Sequence, residues 1–160
     1  MIMALREIQI RPFEERDSAA FYDLNLAWIS KHFAMEDADR AALGNPSGYI
    51  LEKGGHIFMA FVEDRAVGTC ALIRTGPEAF EVAKMAVAEE YQGMGIGRRL
   101  LEHTVAQAKQ LGAKSLSLET NTKLTPAIRL YETTGFRHLP PERVVPSPYV
   151  RANVFMEMQL

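Results

Sequence analysis

The sequence predicts an α+β fold: a mixed, mostly antiparallel central sheet with one βαβ crossover. Three observations predict it. Two apolar runs flank the tight polar connection Glu63-Asp64-Arg65, which reads as a hairpin. A third run, Phe80 to Ala88, joins the hairpin through the short turn Gly76-Pro77, too short for anything but antiparallel pairing. That run enters a glycine cluster opening an amphipathic helix, and the next strand-like run follows the helix, which makes the pair parallel.

Taken in order, Leu5 to Ile10 alternates as a first strand that Pro12 should stop. Asp17 or Ser18 can cap a helix whose apolar residues Phe21, Leu24, Ala27, Trp28 and Ile29 share a face. Glu36 to Leu43 reads as a short second helix ended by Gly44-Asn45-Pro46, and Gly54-Gly55 breaks the chain before the hairpin strands Ile57–Val62 and Ala66–Thr75. After the glycine cluster, Leu100, Leu101, Val105, Ala108 and Leu111 mark one helix face, with Gly112 placed as a C′ glycine. Lys114 to Thr120 is a strand. Thr125-Pro126 reads as an N-cap and N1 pair for a helix through Tyr131 to Gly135. A tail broken by Pro140, Pro141, Pro146 and Pro148 ends in an alternating strand from Val150 to Gln159.

With 160 residues, 48% apolar and 24% charged, the chain reads as one domain, 1–160, with a genuine core. A net charge of −2 gives no pull towards nucleic acid or anionic lipid. The lone Cys70 excludes an internal disulfide, and His32, His56, His103 and His138 make no metal-ligand spacing, so no metal is expected. No apolar run approaches the roughly 20 residues of a membrane span, and the N-terminus turns charged too soon for a signal peptide. The expectation is a soluble cytoplasmic protein. Its charge is uneven: residues 92–137 carry seven Lys/Arg against three Glu, a local +4, and the remainder is −6. That distribution suits a small anionic ligand as well as it suits ordinary surface variation.

Gln92-Gly93-Met94-Gly95-Ile96-Gly97-Arg98-Arg99 sits between a strand and a helix. Glycines there let main-chain N–H groups approach an anion closely, the helix N-terminus adds partial positive charge, and Arg98 and Arg99 add full charge. The pattern fits a pyrophosphate. A Walker A loop is excluded by the absence of Gly-Lys-Ser/Thr. A dinucleotide fingerprint needs a third glycine where Arg98 stands, although Glu119 occupies a plausible ribose-binding place on the next strand.

The stretch Gln92-x-x-Gly95-x-Gly97 resembles the acetyl-CoA pyrophosphate loop of the GNAT superfamily of N-acetyltransferases. Glu81-Val82-Ala83-Lys84-Met85-Ala86-Val87 resembles the family's fourth strand, and Ala127-x-x-Leu130-Tyr131-Glu132-x-x-Gly135-Phe136 a further family block. The resemblance implies a sheet whose fourth and fifth strands splay apart, with helices on both faces. It implies acetyl-CoA as co-substrate. Gln92, Gly93, Gly95, Gly97 and Arg98 would hold its pyrophosphate. Main-chain groups of Met85 and Val87, with Asn121, Ala127 and Tyr131, would hold its pantetheine arm.

Chemical roles follow from the resemblance and from what amine acylation needs. The Met85 N–H would polarise the thioester carbonyl. A base must free the amine lone pair, and Glu81 stands where a branch of the family carries one. Strict alternation puts Glu81 on one face with Ala83 and Met85 unless a bulge intervenes. Glu119 is the rival base, but pairing with Lys84 across neighbouring strands is its favoured reading. Tyr131 resembles the family tyrosine that protonates the departing thiolate. Trp28, Phe33 and Tyr49 lie where the family walls its acceptor pocket, or serve as core. Arg151, with Asn153 on the last strand, is placed to clamp a substrate carboxylate. Cys70 reads as a buried small side chain, and His103 as exposed. The expected function is acetyl transfer to a small-molecule amine. A protein lysine or N-terminus as acceptor, an acyl-CoA-binding regulatory module without turnover, and a nucleotide-binding domain of other fold stay open, as does a homodimer.

Overall fold

The computed structural model describes residues 7–160; the Leu5 end of the expected first strand lies outside them. The elements are β1 (Ile8–Pro12), α1 (Ser18–His32), α2 (Asp37–Gly44), β2 (His56–Val62), β3 (Arg65–Gly76), β4 (Ala79–Val87), α3 (Ile96–Gln110), β5 (Ser115–Thr120), α4 (Thr125–Thr134), β6 (Arg137–His138) and β7 (Val154–Gln159). They build one seven-stranded sheet in the order β1-β2-β3-β4-β5-β7-β6. Every pairing is antiparallel except β4 with β5, the βαβ crossover that the sequence predicts.

Alternation along the strands gives the sheet two buried faces. Phe58, Ala60, Leu72, Phe80 and Val82 face α3 and pack with Ile96, Leu100 and Leu101. Ile57, Met59 and Ala71 face the other way, against Phe21 and Ile29 of α1 and Leu43 of α2. Helices therefore cover both sides. Leu111, expected on the buried face of α3, follows the helix as its C-cap and is exposed. His103 is half-buried rather than exposed, its ring edge-on to Phe58 at 5.0 Å.

Several boundaries differ from the sequence reading, each for a physical reason. Pro12 ends β1 inside the ladder, opposite Phe58. It is tolerated because β1 is an edge strand, where a missing N–H deprives no neighbour. Leu124, not Thr125, is the N-cap of α4, and Pro126 sits in the first turn, where its missing N–H has no helical acceptor in any case. The last strand starts at Val154 rather than Val150, because Val150 and Arg151 donate their N–H groups to Glu36 at 2.9 and 3.3 Å. Arg151 and Asn153 thus lie in the loop before β7. A wide turn over Ser47–Leu51, closed by Glu52 N–H to the Ser47 carbonyl at 2.8 Å, has no clear sequence signal.

The feature that matters most lies in β4. On β3 the register passes from Thr69 opposite Ala86 to Ala71 opposite Ala83, so β4 carries an extra residue there, and Lys84 has φ +52. This is a β-bulge. It reverses the facing of the residues beyond it. Phe80 and Val82 face α3 before it, and Met85 and Val87 pack against that same cluster after it. Met85 therefore does not share the face of Glu81, as strict alternation requires.

Leu100 is fully buried, and its Cδ1 lies 2.7 Å from the place a Cβ on Gly68 would take, so α3 rests directly on β3. Leu100→Ala is expected to cost about 2–5 kcal/mol, read as a lower urea midpoint with an unchanged slope.

Candidate active site

The parallel pairing of β4 and β5 covers only Ala79–Glu81 against Ser115–Ser117. Beyond it β4 bulges at Lys84 while β5 continues straight, and the two diverge. A cavity of about 510 Å³ opens between them, floored by Glu81 to Val87 and Glu119 to Asn121, and walled by α1, α4 and the glycine loop.

At one end lies the loop before α3. Gly93 and Gly95 have φ +81 and +82, left-handed values that glycine adopts without strain. Gly95 is the N-cap of α3, and the helix's first hydrogen bond runs from Arg99 N–H to Gly95 at 3.1 Å. The N–H groups of Ile96, Gly97 and Arg98 precede that bond and have no helical acceptor. Gln92 Nε2 donates to the Val87 carbonyl at 3.1 Å, tying the loop to the end of β4. A side chain on Gly97 would press on Met85 Cε at 3.3 Å. Gln92, Gly93, Gly95 and Gly97 all line the cavity. Arg98 does not line it: its guanidinium donates to Thr133 Oγ1 at 3.2 Å, and that of Arg99 to the Ile8 carbonyl at 3.4 Å. The donors of this loop that line the cavity are therefore main-chain N–H groups.

At the other end stand the titratable groups. Glu81 is pushed up to about 7, by burial first and by the charge of Glu119 second, with Lys84 opposing. Tyr131, from α4, reaches the cavity from the opposite wall, and burial raises its phenol well above the ordinary value. Ala127 and Leu130 line the same wall. Burial pushes the Cys70 thiol up to about 11, so it is no nucleophile at neutral pH.

Two expectations need correction. Lys84 does not pair with Glu119. Its ammonium donates to Tyr149 Oη at 2.7 Å and lies 3.5 Å from Asp39 Oδ1, because the bulge aims it towards α2. Glu119 instead accepts from Ser147 Oγ at 2.6 Å. Arg151 lines the cavity but is not a free carboxylate clamp: it is bidentate to Asp39, with both bonds at 2.6 Å. The Asn121 side chain lines the cavity, donates one N–H to the Arg151 carbonyl at 2.6 Å and accepts from Lys123 N–H at 2.8 Å. Trp28 and Phe33 line the cavity, and Tyr49 stands outside it.

Sequence reasoning missed Asp39. Burial by itself would raise its carboxyl, yet hydrogen bonds from Arg151 and from Glu36 N–H, with Lys84 nearby, hold it below the usual carboxylate range. Lys84 is lowered, by burial first. A signal for Asp39 existed: it precedes Ala42 and Leu43 by three and four residues, which places it on the apolar face of α2.

These features coincide with what comparison finds. The model of the acetyltransferase (GNAT) family matches residues 2–136, and the chain belongs to that family. An uncharacterized N-acetyltransferase of Bacillus subtilis, YvbK, is 30% identical over 62% of this chain, and the match spans 66% of that protein, just under two thirds. The [ribosomal protein bS18]-alanine N-acetyltransferase of Escherichia coli is 42% identical over 79% of each chain. Among solved structures, an acetyltransferase of the GNAT family from Staphylococcus aureus Mu50 superposes with a TM-score of 0.86 at 23% identity, covering 96% of this chain and 99% of that one. A GNAT family acetyltransferase from Elizabethkingia anophelis with acetyl-CoA bound superposes at 0.72 and 24% identity, covering 96% and 98%. The fold class read from the sequence stands. Among the described residues no helix is long and apolar enough to cross a membrane, and no group of His, Cys, Asp or Glu could hold a metal ion.

Because Glu81 titrates near 7 in the folded chain and at its ordinary 4.5 when unfolded, the folded state holds the extra proton between those values. Stability is therefore lost as pH rises through that window. Glu81→Gln should raise the thermal midpoint relative to the parent above pH about 7, and the gap should close below pH about 4.5; thermal scans across pH check this.

Proposed function

We propose that the protein transfers acetyl from acetyl-CoA to an amine, by direct attack within the β4–β5 cleft. The observation that carries this reading is the loss of strand pairing immediately after Glu81, continuous with a cradle of helix-start N–H groups. The cleft leaves room for an extended arm, and the cradle suits a pyrophosphate. Support also comes from the neighbour of the same fold with acetyl-CoA bound.

The residues then divide the work. Lys84 and Met85 have no register partner on β3, and β5 has already turned away, so the Met85 N–H is available to the thioester oxygen as charge gathers there. Glu81 takes the proton of the attacking ammonium, directly or through one water; a carboxyl near 7 is matched to that task. Tyr131 stays protonated through the working pH range, because burial raises it, and it gives its proton to the departing thiolate. Buried Cys70 takes no part, so no acyl-cysteine forms.

The acceptor is read first as a small-molecule amine. A polypeptide amine is the second reading, favoured by the Escherichia coli relative named for an alanine of ribosomal protein bS18.

Thiol release from acetyl-CoA with an amine panel tests the reading. The rate should rise through pH about 7. Glu81→Gln should remove that rise and lower the neutral rate by about 10²–10⁴-fold. Tyr131→Phe should lower kcat with little change in the acetyl-CoA KM. Calorimetry that detects no acetyl-CoA binding would remove the reading.

A further inference from the structure

The acceptor half of the cavity holds two cations and two carboxylates in opposite conditions. Arg151 sends two nitrogens to Asp39 at 2.6 Å each, lies 3.5 Å from Glu36, and has the rings of Tyr149, Trp28 and Phe33 around its guanidinium at 4.6, 5.6 and 5.9 Å. Lys84 is bound to Tyr149 and faces Asp39, with its side chain 6% exposed. Both cations are therefore already paired inside the fold, Arg151 with Asp39 and Lys84 with Asp39 and Tyr149. Glu81 and Glu119 line the cavity, and neither forms an ion pair among the described residues. Two further lysines line the cavity: Lys31 is held by Glu89 at 3.0 Å, and Lys123 stands over the Phe33 ring at 5.3 Å with no ion pair among the described residues.

We infer that the acceptor site selects an ammonium whose neighbouring carbon carries no carboxylate. The inference rests on the acetyl-transfer reading. An ammonium entering this half of the cavity meets two carboxylates in surroundings drier than bulk water, where their attraction is strengthened. A carboxylate beside the reacting nitrogen would be drawn out of water against those like charges, while the two buried cations nearby are already engaged with Asp39. Arg151 and Lys84 could serve it only by abandoning Asp39, which is fully buried and would be left uncompensated.

Matched acceptors test this: tyramine against tyrosine, histamine against histidine, and alanine amide against alanine, with an alanine-led peptide amide as the polypeptide arm. Thiol release is followed at about pH 8. In each pair that turns over, the member without the carboxylate should have the higher kcat/KM, by at least about tenfold. Turnover of the peptide amide alone keeps the inference and assigns the amine to a polypeptide. Equal or faster turnover of the carboxylated members overturns it. So does turnover of none of them while calorimetry still detects acetyl-CoA binding; absent acetyl-CoA binding instead removes the acetyl-transfer reading. Asp39→Asn, which releases the cations, should narrow the ratio severalfold if the variant folds, and an unchanged ratio in folded protein overturns the pairing of Arg151 and Lys84 as its cause. If it does not fold, the parent ratio decides alone.

Discussion

The structure depends on one interruption: the hydrogen-bonded ladder between β4 and β5 ends at Glu81 opposite Ser117. A continuous ladder would fill the sheet and leave no cleft. The interruption is built, not accidental. An extra residue in β4 bends the strand, Lys84 takes a left-handed φ that costs a lysine strain, and its ammonium is held beyond the sheet by Tyr149 and Asp39. The bulge thus has an anchor, and main-chain groups of the strand are left facing the cavity.

That anchor also joins three distant segments. Asp39 comes from α2, Lys84 from β4, and Tyr149 and Arg151 from the loop before β7. Glu36, at the N-cap of α2, accepts N–H groups from the same loop. The proline-broken tail, which has little regular structure of its own, is thereby fixed as a wall of the site. Buried ionic clusters of this kind are a weak source of net stability, because desolvation offsets attraction, but removing one member leaves the others uncompensated. Here the cluster holds a wall in place.

The charge pattern of the cavity follows. Main-chain N–H groups supply positive potential at the glycine-loop end, with the two arginines turned aside to Thr133 and Ile8. The carboxylates gather at the other end, where burial first and the charge of Glu119 second push Glu81 up to about 7. One end suits an anion and the other an ammonium, with the unpaired stretch of β4 between them.

The sequence by itself determined the order of elements, the parallel crossover and the glycine loop, because each is written in local periodicity or in a residue type with a fixed conformational use. Gly95 as the N-cap of α3 and Gly112 just past its end are such cases. It also placed Glu81 and Tyr131 on elements that meet at the cavity. Only the tertiary structure decided the partner of Lys84, the engagement of Arg151 and Asn121, the place of Asp39, and the facing of Met85. Side-chain pairing across residues more than 100 positions apart, as between Asp39 and Arg151, leaves no periodic trace in the chain. A bulge, moreover, reverses every residue after it without changing a letter of the pattern.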